Sequence, residues 1–290
     1  MPRQRFEMKQ VNLRRRLLMS LALLGVGNLA KAEGRPLVLG VVPYLSARKL
    51  AELYEPLRDF LERELGRPAM IESAPSYAVY LERCASADYD VIATSPYFGR
   101  ISEREQGYVP LARPLTDLEP LLVVMKDSPL IGERDLKGKV VTTSDELANL
   151  TLAARRHFAA IGLKPGSDVM IKPMGSHINS LAALLHGESA AAIVSVTTLK
   201  QAGGDWNERV RILARIKPIP PLLYLAHKRL GEAEIGRLRK DLLHYANETP
   251  EGQGLFRRLG HDGLKPITAA DFALLDPYVE DLKQLLAAPR

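Results

Sequence analysis

The chain is predicted to be an α/β protein of two similar lobes that face each other across a cleft, and two observations support this. Short apolar runs alternate with amphipathic helical patterns along most of the sequence. This alternation is typical of helices packed on largely parallel sheets. In addition, two stretches that lie 100 residues apart have the pattern of the same strand, helix, strand unit.

The repeat relates residues 41–95 to residues 141–195. Eight positions carry the same residue at an offset of 100, namely Val41, Leu50, Gly66, Met70, Ile71, Ser76, Leu81 and Ser95 with their partners. Composition alone would give roughly three or four matches. The count leaves open that any two α/β units would match almost as well. We favour the interpretation that the two stretches form equivalent parts of two lobes.

The hydrophobic pattern of the first lobe predicts its elements in order. Pro36 to Val42 is predicted as a strand, and apolar residues then recur at helical spacing up to Leu65, with Pro56 inside the helix and Gly66 as its end. Three further strands and one helix follow, which are Met70 to Ala74, the helix Ala78 to Ala85, Val91 to Thr94 and Tyr108 to Arg113.

The second lobe begins where the apolar segment Leu118 to Met125 leaves the first. A strand at Val140 and Val141 and a helix over about residues 148–161 repeat the alternation, and the proline-rich residues 217–221 before Leu222 to Ala226 are predicted as the return crossing. Helices over residues 232–246 and 269–287 should pack back on the first lobe. We therefore predict a first lobe at 33–119, a second at 120–217, and a return crossing with C-terminal helices at 218–290.

The first 32 residues have the pattern of a secretory signal peptide. Three arginines at 14–16 precede an apolar run from Leu17 to Gly27, and Ala30 and Ala32 are small residues at the spacing that signal peptidase needs. The run is about half of the ~20 residues that span a bilayer. We expect cleavage near Ala32 and export to the periplasm without a lipid anchor, by either the general or the twin-arginine route.

Removing the signal changes the electrostatic argument. It holds 7 of the 40 Lys and Arg and 1 of the 34 Asp and Glu, so that 33 of each remain and the mature chain is neutral. Nothing in this balance favours nucleic acid or an acidic membrane surface as a partner. The single cysteine, Cys84, excludes an internal disulfide and is predicted to be a buried structural thiol.

No motif of a catalytic or metal site is apparent. The sequence lacks a nucleophile elbow, a zinc-protease motif and a phosphate-binding loop, and His227, His244 and His261 show no metal-ligand spacing. We therefore expect no enzyme, no metal and no cofactor.

Candidate ligand-binding residues lie where predicted strands lead into helices. In parallel sheets these positions share one edge, at which free backbone N–H groups and serine hydroxyls can hold an oxyanion. Serine also caps helices where no ligand binds, so each serine taken alone is weak evidence. The candidates are Ser76, Tyr77, Ser95, Tyr97, Thr143, Ser176, His177 and Ser195.

Several of these segments together resemble the phosphonate-binding-like family of periplasmic solute-binding proteins, which serve ABC importers of phosphate, phosphite and phosphonate. The resemblance covers residues 36–262 and is carried by Gly40-Val41-Val42-Pro43, Tyr54-Glu55-Pro56-Leu57, Ser76-Tyr77, Asp90 to Tyr97, Asp135 to Lys139 and Gly175-Ser176-His177. It implies a type II periplasmic-binding-protein fold, in which two α/β lobes joined by a two-strand hinge close on a ligand. By the same resemblance Tyr77, Ser95 with Tyr97, and His177 contact the ligand.

One turn departs from the family. Phosphonate binders carry a Ser-Thr-Ser-Gly turn that cradles the ligand oxygens, and here the matching stretch runs from Asp145 to Asn149. A carboxylate at this place would repel a dianion, and we expect Thr142, Thr143, Ser144 or Thr151 to substitute in part. Thr197 and Leu222 fall near the family's ammonium-binding acids, so an aminoalkylphosphonate is not expected as the ligand.

The sequence thus predicts a monomeric periplasmic solute-binding protein of an ABC importer, which binds a small oxyanion or related polar ligand and docks on an inner-membrane permease. An alternative is a ligand-binding subunit that presents its ligand to a membrane sensor kinase. A third interpretation is an enzyme of the same fold, because residues 42–48 resemble a segment of menaquinone-pathway dehydratases. Those enzymes act in the cytoplasm, which disagrees with an export signal.

Overall fold

The computed structural model describes residues 35–202 and 206–287, and the predicted signal peptide lies outside them. The strands are β1 (Leu37–Val41), β2 (Ala69–Glu72), β3 (Val91–Thr94), β4 (Tyr108–Pro114), β5 (Pro120–Met125), β6 (Lys139–Thr143), β7 (Val169–Pro173), β8 (Ala191–Ser195), β9 (Val210–Arg215), β10 (Leu223–His227) and β11 (Leu264–Lys265). The α-helices are α1 (Ala47–Leu65), α2 (Tyr77–Ala85), α3 (Pro96–Glu105), α4 (Asn149–Ala160), α5 (His177–Leu185), α6 (Val196–Ala202), α7 (Trp206–Arg209), α8 (Glu232–Glu248), α9 (Pro250–Arg258) and α10 (Ala269–Ala287). Among the described residues no helix is long and apolar enough to cross a membrane.

Two sheets form the centres of the two lobes. The first has the strand order β11-β4-β10-β3-β1-β2, and the second has the order β7-β6-β8-β5-β9. The helices cover both sheets, so that the fold is α/β with two lobes, as predicted. The expectation of largely parallel sheets is wrong. β1 pairs with β2 and β3 in parallel, as β6 does with β7 and β8, but the strands that enter from the other lobe, β10 and β5, pair antiparallel to their neighbours.

The repeat predicted from the sequence is present in the structure. The order β1, α1, β2, α2, β3 in the first lobe recurs as β6, α4, β7, α5, β8 in the second, and α2 and α5 begin at Tyr77 and His177. In each sheet the strand that enters from the other lobe lies beside the third strand of this unit, because β10 pairs with β3 and β5 pairs with β8. Both lobes therefore present the same edge, with its helix starts, toward the other.

Two chain crossings join the lobes and pair with each other. The chain passes from β4 to β5 through residues 115–119 and returns from β9 to β10 through residues 216–222. Leu118 and Ile219 exchange backbone hydrogen bonds of 2.7 and 2.9 Å, and the Ile216 N–H donates to the Pro120 carbonyl at 2.9 Å. The crossings thus form a two-strand hinge, as the family resemblance implied.

The C-terminal helix α10 contacts both lobes. It packs against α3 of the first lobe, where Tyr278 stacks on Tyr97 with ring centroids 4.7 Å apart, and against α4 of the second lobe, where Asp281 pairs with Arg156 at 2.9 Å. The expectation that the helices over residues 232–246 and 269–287 pack back on the first lobe holds for α8, which covers its sheet. For α10 it is incomplete, because a 19-residue helix is long enough to pass beside the hinge.

Candidate ligand-binding cleft

A cleft of about 450 Å³ lies between the two lobes, next to the hinge. Its volume falls within the ≈ 300–1,000 Å³ that is usual for small-molecule sites. Residues 116–119 and 221–222 of the two crossings line it, together with residues of both lobes. A ligand in the cleft would therefore touch both lobes and the hinge at once.

Helix N-termini surround this cleft. The starts of five helices contribute lining residues, which are Tyr77 for α2, Ser95 for α3, Ala148 to Leu150 for α4, Ser176 to Ile178 for α5, and Ser195 to Thr198 for α6. The first N–H groups of a helix have no partner inside it, and the N-terminus carries the positive end of the helix dipole. These helix starts therefore favour negative charge in the cleft through backbone groups.

The helix starts differ in whether a side chain already caps them. Ser76, Ser176 and Ser195 each accept a hydrogen bond from a backbone N–H of their own helix, at 3.1 to 3.2 Å. By contrast, α3 at Ser95 and α4 at Ala148 have no side-chain cap. The first turn of α4 therefore keeps backbone donors available for a ligand, and the Ser95 hydroxyl is not used by its own helix.

Four residues that line the cleft carry a buried polar atom that has no hydrogen-bond partner among the described residues. These atoms are Ser95 Oγ, Asn149 Oδ1, His177 Nδ1 and His261 Nε2. Ser95 is 2% exposed and His261 is 7% exposed. A buried polar atom left unpaired costs about 1–3 kcal/mol, so buried polar atoms are paired with few exceptions. Because four such atoms belong to residues that line one cleft, this cleft is the candidate ligand site.

Both cleft histidines are neutral at pH 7. Burial lowers the pKa of His177 to about 4 and that of His261 to about 4. His177 Nε2 lies 3.5 Å from Ser144 Oγ, which leaves Nδ1 as its free nitrogen. Burial also raises the pKa of Tyr77, and the nearby Asp145 carboxylate adds to this, so the phenol remains a hydrogen-bond donor. Both histidines and Tyr77 thus offer the cleft neutral hydrogen-bonding groups.

Three charged side chains line the cleft. Asp117 pairs with the buried Arg113 at 2.6 Å, and Glu119 pairs with Arg215. Arg258 is exposed and forms no ion pair within the described part of the chain. Arg113 also pairs with Asp271 at 2.8 Å, so it is shared between two carboxylates. No group of acids, histidines or cysteines within the described residues could hold a metal ion.

Five of the eight candidate residues line the cleft, namely Tyr77, Ser95, Ser176, His177 and Ser195. The other three do not. Ser76 caps α2, and the Tyr97 ring stacks on Tyr278 between α3 and α10. The Thr143 hydroxyl bonds to that of Thr151. The contacts of these three side chains are thus within the protein.

The turn that departs from the family does not place a carboxylate in the cleft. Asp145 Oδ1 accepts from the Leu147 N–H at 2.8 Å, and the Asp145 carbonyl accepts from the Thr151 hydroxyl at 2.6 Å. The side chain is thus used inside the turn, and Ala148, Asn149 and Leu150 line the cleft instead. The threonines expected to substitute for the lost hydroxyls are buried and bonded within the protein.

Some lining residues were not predicted from the sequence. Three of them lie at the end of α9 and just after it, about 165 residues after Ser95, namely Arg258, Gly260 and His261. They reach the cleft because this segment lies beside the first crossing, where the Leu115 N–H donates to the Gly263 carbonyl at 3.0 Å. Tyr44 lines the cleft from the loop after β1 and donates to the Tyr54 hydroxyl at 3.2 Å. No spacing along the chain links these residues.

Comparison with known proteins agrees with this architecture. The model of the family described as ABC transporter, phosphonate, periplasmic substrate-binding protein matches residues 39–272. The chain belongs to this family. Its members are periplasmic solute-binding components of ABC importers and not enzymes. A comparison with curated proteins gives no match.

Solved structures share the fold at low sequence identity. PhnD1 from Prochlorococcus marinus, in complex with methylphosphonate, superposes with a TM-score of 0.74 at 14% identity, over 86% of this chain and 99% of that one. XAC2383 from Xanthomonas citri, bound to ATP, gives a TM-score of 0.73 at 18% identity over 87% and 99%. The aliphatic sulphonate binding protein SsuA from Escherichia coli gives 0.60 at 16% over 89% and 94%. All have the two-lobed type II architecture.

Proposed function

We propose that the mature chain binds a small oxyanion of the phosphonate, phosphite or phosphate type in the interlobe cleft and delivers it to an inner-membrane ABC permease. One observation carries this proposal. The cleft combines the uncapped starts of α3 and α4 with buried, unpartnered polar atoms of Ser95 and His177. These groups are arranged to donate hydrogen bonds to a ligand that is rich in acceptors.

Neutral donors suffice for such a ligand. Backbone N–H groups at helix N-termini bind anions through hydrogen bonds and the helix dipole together. Hydrogen bonds to a charged group contribute about 1.5–3 kcal/mol each, roughly twice the value for neutral pairs. Tyr77, Ser95 and the first turn of α4 would supply several of these bonds, and they lie on both lobes, so that binding favours the closed state.

Two solved relatives support the ligand class. PhnD1 was crystallised with methylphosphonate, and SsuA is an aliphatic sulphonate binding protein. Both ligand classes are small tetrahedral oxyanions with an organic substituent. The sequence of residues 1–32 further supports release of the chain into the periplasm after cleavage near Ala32. We expect the mature protein to be a monomer, which size-exclusion chromatography with light scattering would test.

Ligand binding is tested on the mature protein after unfolding and refolding, which removes any retained ligand. Methylphosphonate, phosphite, phosphate and methanesulfonate are compared by thermal shift and calorimetry, with the neutral ester dimethyl methylphosphonate as control. At least one oxyanion should stabilise the protein by about 2.7 kcal/mol at 100 times its Kd, and the ester should not. The absence of stabilisation by all four oxyanions would contradict the proposal.

A matched pair of variants tests the location of the site. Tyr77→Phe and Tyr97→Phe each remove a phenolic hydroxyl that has no partner in the described structure, but only Tyr77 lines the cleft. The first variant should weaken binding of the oxyanion about 10-fold or more, and the second should leave the Kd unchanged. Equal effects would argue against the cleft as the site.

A further inference from the structure

The Asn149 side chain is held in one orientation at the start of α4. Its Nδ2 donates to the Pro221 carbonyl at 2.9 Å, and its buried Oδ1 has no partner in the part of the chain that the structure describes. A backbone carbonyl can only accept, so the amide cannot be reversed without placing two acceptors against each other. Asn149 is a residue of the cleft lining, and its free atom is therefore a hydrogen-bond acceptor.

This acceptor lies beside groups that donate. The first-turn N–H groups of α4 have no side-chain cap, and Ala148 and Leu150 line the cleft on either side of Asn149. An ionised ligand oxygen would pair with those N–H groups but would meet only lone pairs at Oδ1. A ligand oxygen that keeps its proton can donate to Oδ1 while the other oxygens accept from the helix start.

We infer that Asn149 makes the cleft selective for an oxyanion that retains one proton, such as the monoanion of a phosphonate, over a sulfonate of the same size and charge. This inference rests on the proposed function. A sulfonate monoanion has no proton on its oxygens, so it leaves Oδ1 unpaired, and a site built to accept a hydrogen bond discriminates strongly against a ligand that lacks the donor.

Other titratable and charged side chains line the same cleft, and any test must distinguish protons that they exchange from a proton that the ligand carries. They are Tyr44, Tyr77, Asp117, Glu119, His177, Arg258 and His261. The two acids are paired with arginines, and both histidines are neutral at pH 7. Asp145 lies near Tyr77 but outside the lining. A histidine that gained a proton on binding would do so with either ligand, whereas only the phosphonate brings a proton of its own.

The first experiment compares methylphosphonate with methanesulfonate by calorimetry at a pH where the phosphonate is a monoanion. The variant is Asn149→Leu, which keeps the side-chain size and removes the acceptor. The control is Asn179→Leu, because Asn179 Nδ2 also donates to a backbone carbonyl at a helix start, that of Met174 at 3.0 Å, but lies outside the cleft. Both variants thus lose one amide-to-carbonyl bond of the same kind.

The native protein should bind methylphosphonate at least 10-fold more tightly than methanesulfonate. Asn149→Leu should weaken methylphosphonate binding about 10-fold or more and leave methanesulfonate within about 2-fold, while Asn179→Leu changes neither. A preference that survives in Asn149→Leu would overturn the assignment, as would equal binding of both ligands by the native protein.

A second measurement needs no variant and keeps the inference testable if Asn149→Leu does not fold. Binding to the native protein is measured above the second ionisation of methylphosphonate in two buffers of different ionisation heat, which gives the number of protons exchanged. Methylphosphonate should take up about one more proton than methanesulfonate, because the monoanion is the bound form. Equal proton exchange for the two ligands would overturn the inference. If neither oxyanion binds, the proposed function itself is wrong.

Discussion

Replacing Ser95 by alanine is expected to stabilise the free protein and to weaken the binding of its oxyanion. Ser95 is 2% exposed, lies at the N-cap position of α3 and makes no capping hydrogen bond. Its hydroxyl has no partner in the described structure. Alanine at an N-cap usually destabilises a protein because a cap bond is lost, but no such bond exists here.

The magnitudes follow from these contacts. An unpaired buried polar group costs about 1–3 kcal/mol, so its removal should raise the free energy of unfolding by up to about 1 kcal/mol after the small loss of packing. In the complex the same hydroxyl would donate to a charged oxygen, a bond that contributes about 1.5–3 kcal/mol. The Kd should therefore rise about 10- to 150-fold.

Ser102→Ala is the matched control. Ser102 is fully buried on the same helix, but its hydroxyl donates to Gln106 Oε1 at 2.7 Å and does not line the cleft. Its replacement should lower the free energy of unfolding by about 0.5–1.5 kcal/mol and leave the Kd unchanged. Urea unfolding and calorimetry on both variants measure these quantities. The reasoning is refuted if Ser95→Ala destabilises the protein as much as Ser102→Ala does and binds the ligand normally.

Three further outcomes are expected. The folded-state pKa values of His177 and His261 are about 4, below the ~6.5 of an unfolded histidine. Between these two pH values the unfolded state binds more protons than the folded state. The free energy of unfolding should therefore fall from pH 7 to pH 5 by the order of 1 kcal/mol per histidine. Urea titrations should show this slope flattened when both are changed to glutamine, and an unchanged slope would contradict it. Gly40→Ala would place its Cβ 2.3 Å from an aromatic ring atom and should cost about 3 kcal/mol or more, whereas Gly132→Ala, with open space around it, should be neutral in thermal melts. Because burial raises the pKa of Cys84 to about 12, a thiol reagent should label it only after unfolding, and labelling of the native protein at the rate of a free thiol would refute this.

The fold follows from the sequence to a large extent because each element is specified locally. The helix α1 ends where Gly66 takes the left-handed conformation, and strand β3 has the bounds that its apolar run predicts. The offset of 100 residues places Tyr77 and His177 at equivalent helix starts. The antiparallel direction of strands β5 and β10 was not predicted, because the direction of a strand depends on which lobe the chain comes from.

The site is less predictable because it is assembled from distant segments. Ser95 and His177 could be found, since a strand that leads into a helix is visible in the sequence. The role of Asn149 depends on the Pro221 carbonyl, 72 residues away, and His261 reaches the cleft only through the pairing of its loop with the first crossing. Tyr97 was chosen for its place beside Ser95, yet a helix turns its ring toward Tyr278 instead.

A crystal structure of the protein with methylphosphonate at saturating concentration tests the central claim most directly. The account predicts density for one tetrahedral group in the cleft, within hydrogen-bond distance of Ser95 Oγ and the first-turn N–H groups of α4, with one oxygen on Asn149 Oδ1. An empty cleft at that concentration, or a tetrahedral group bound away from these atoms, would contradict it.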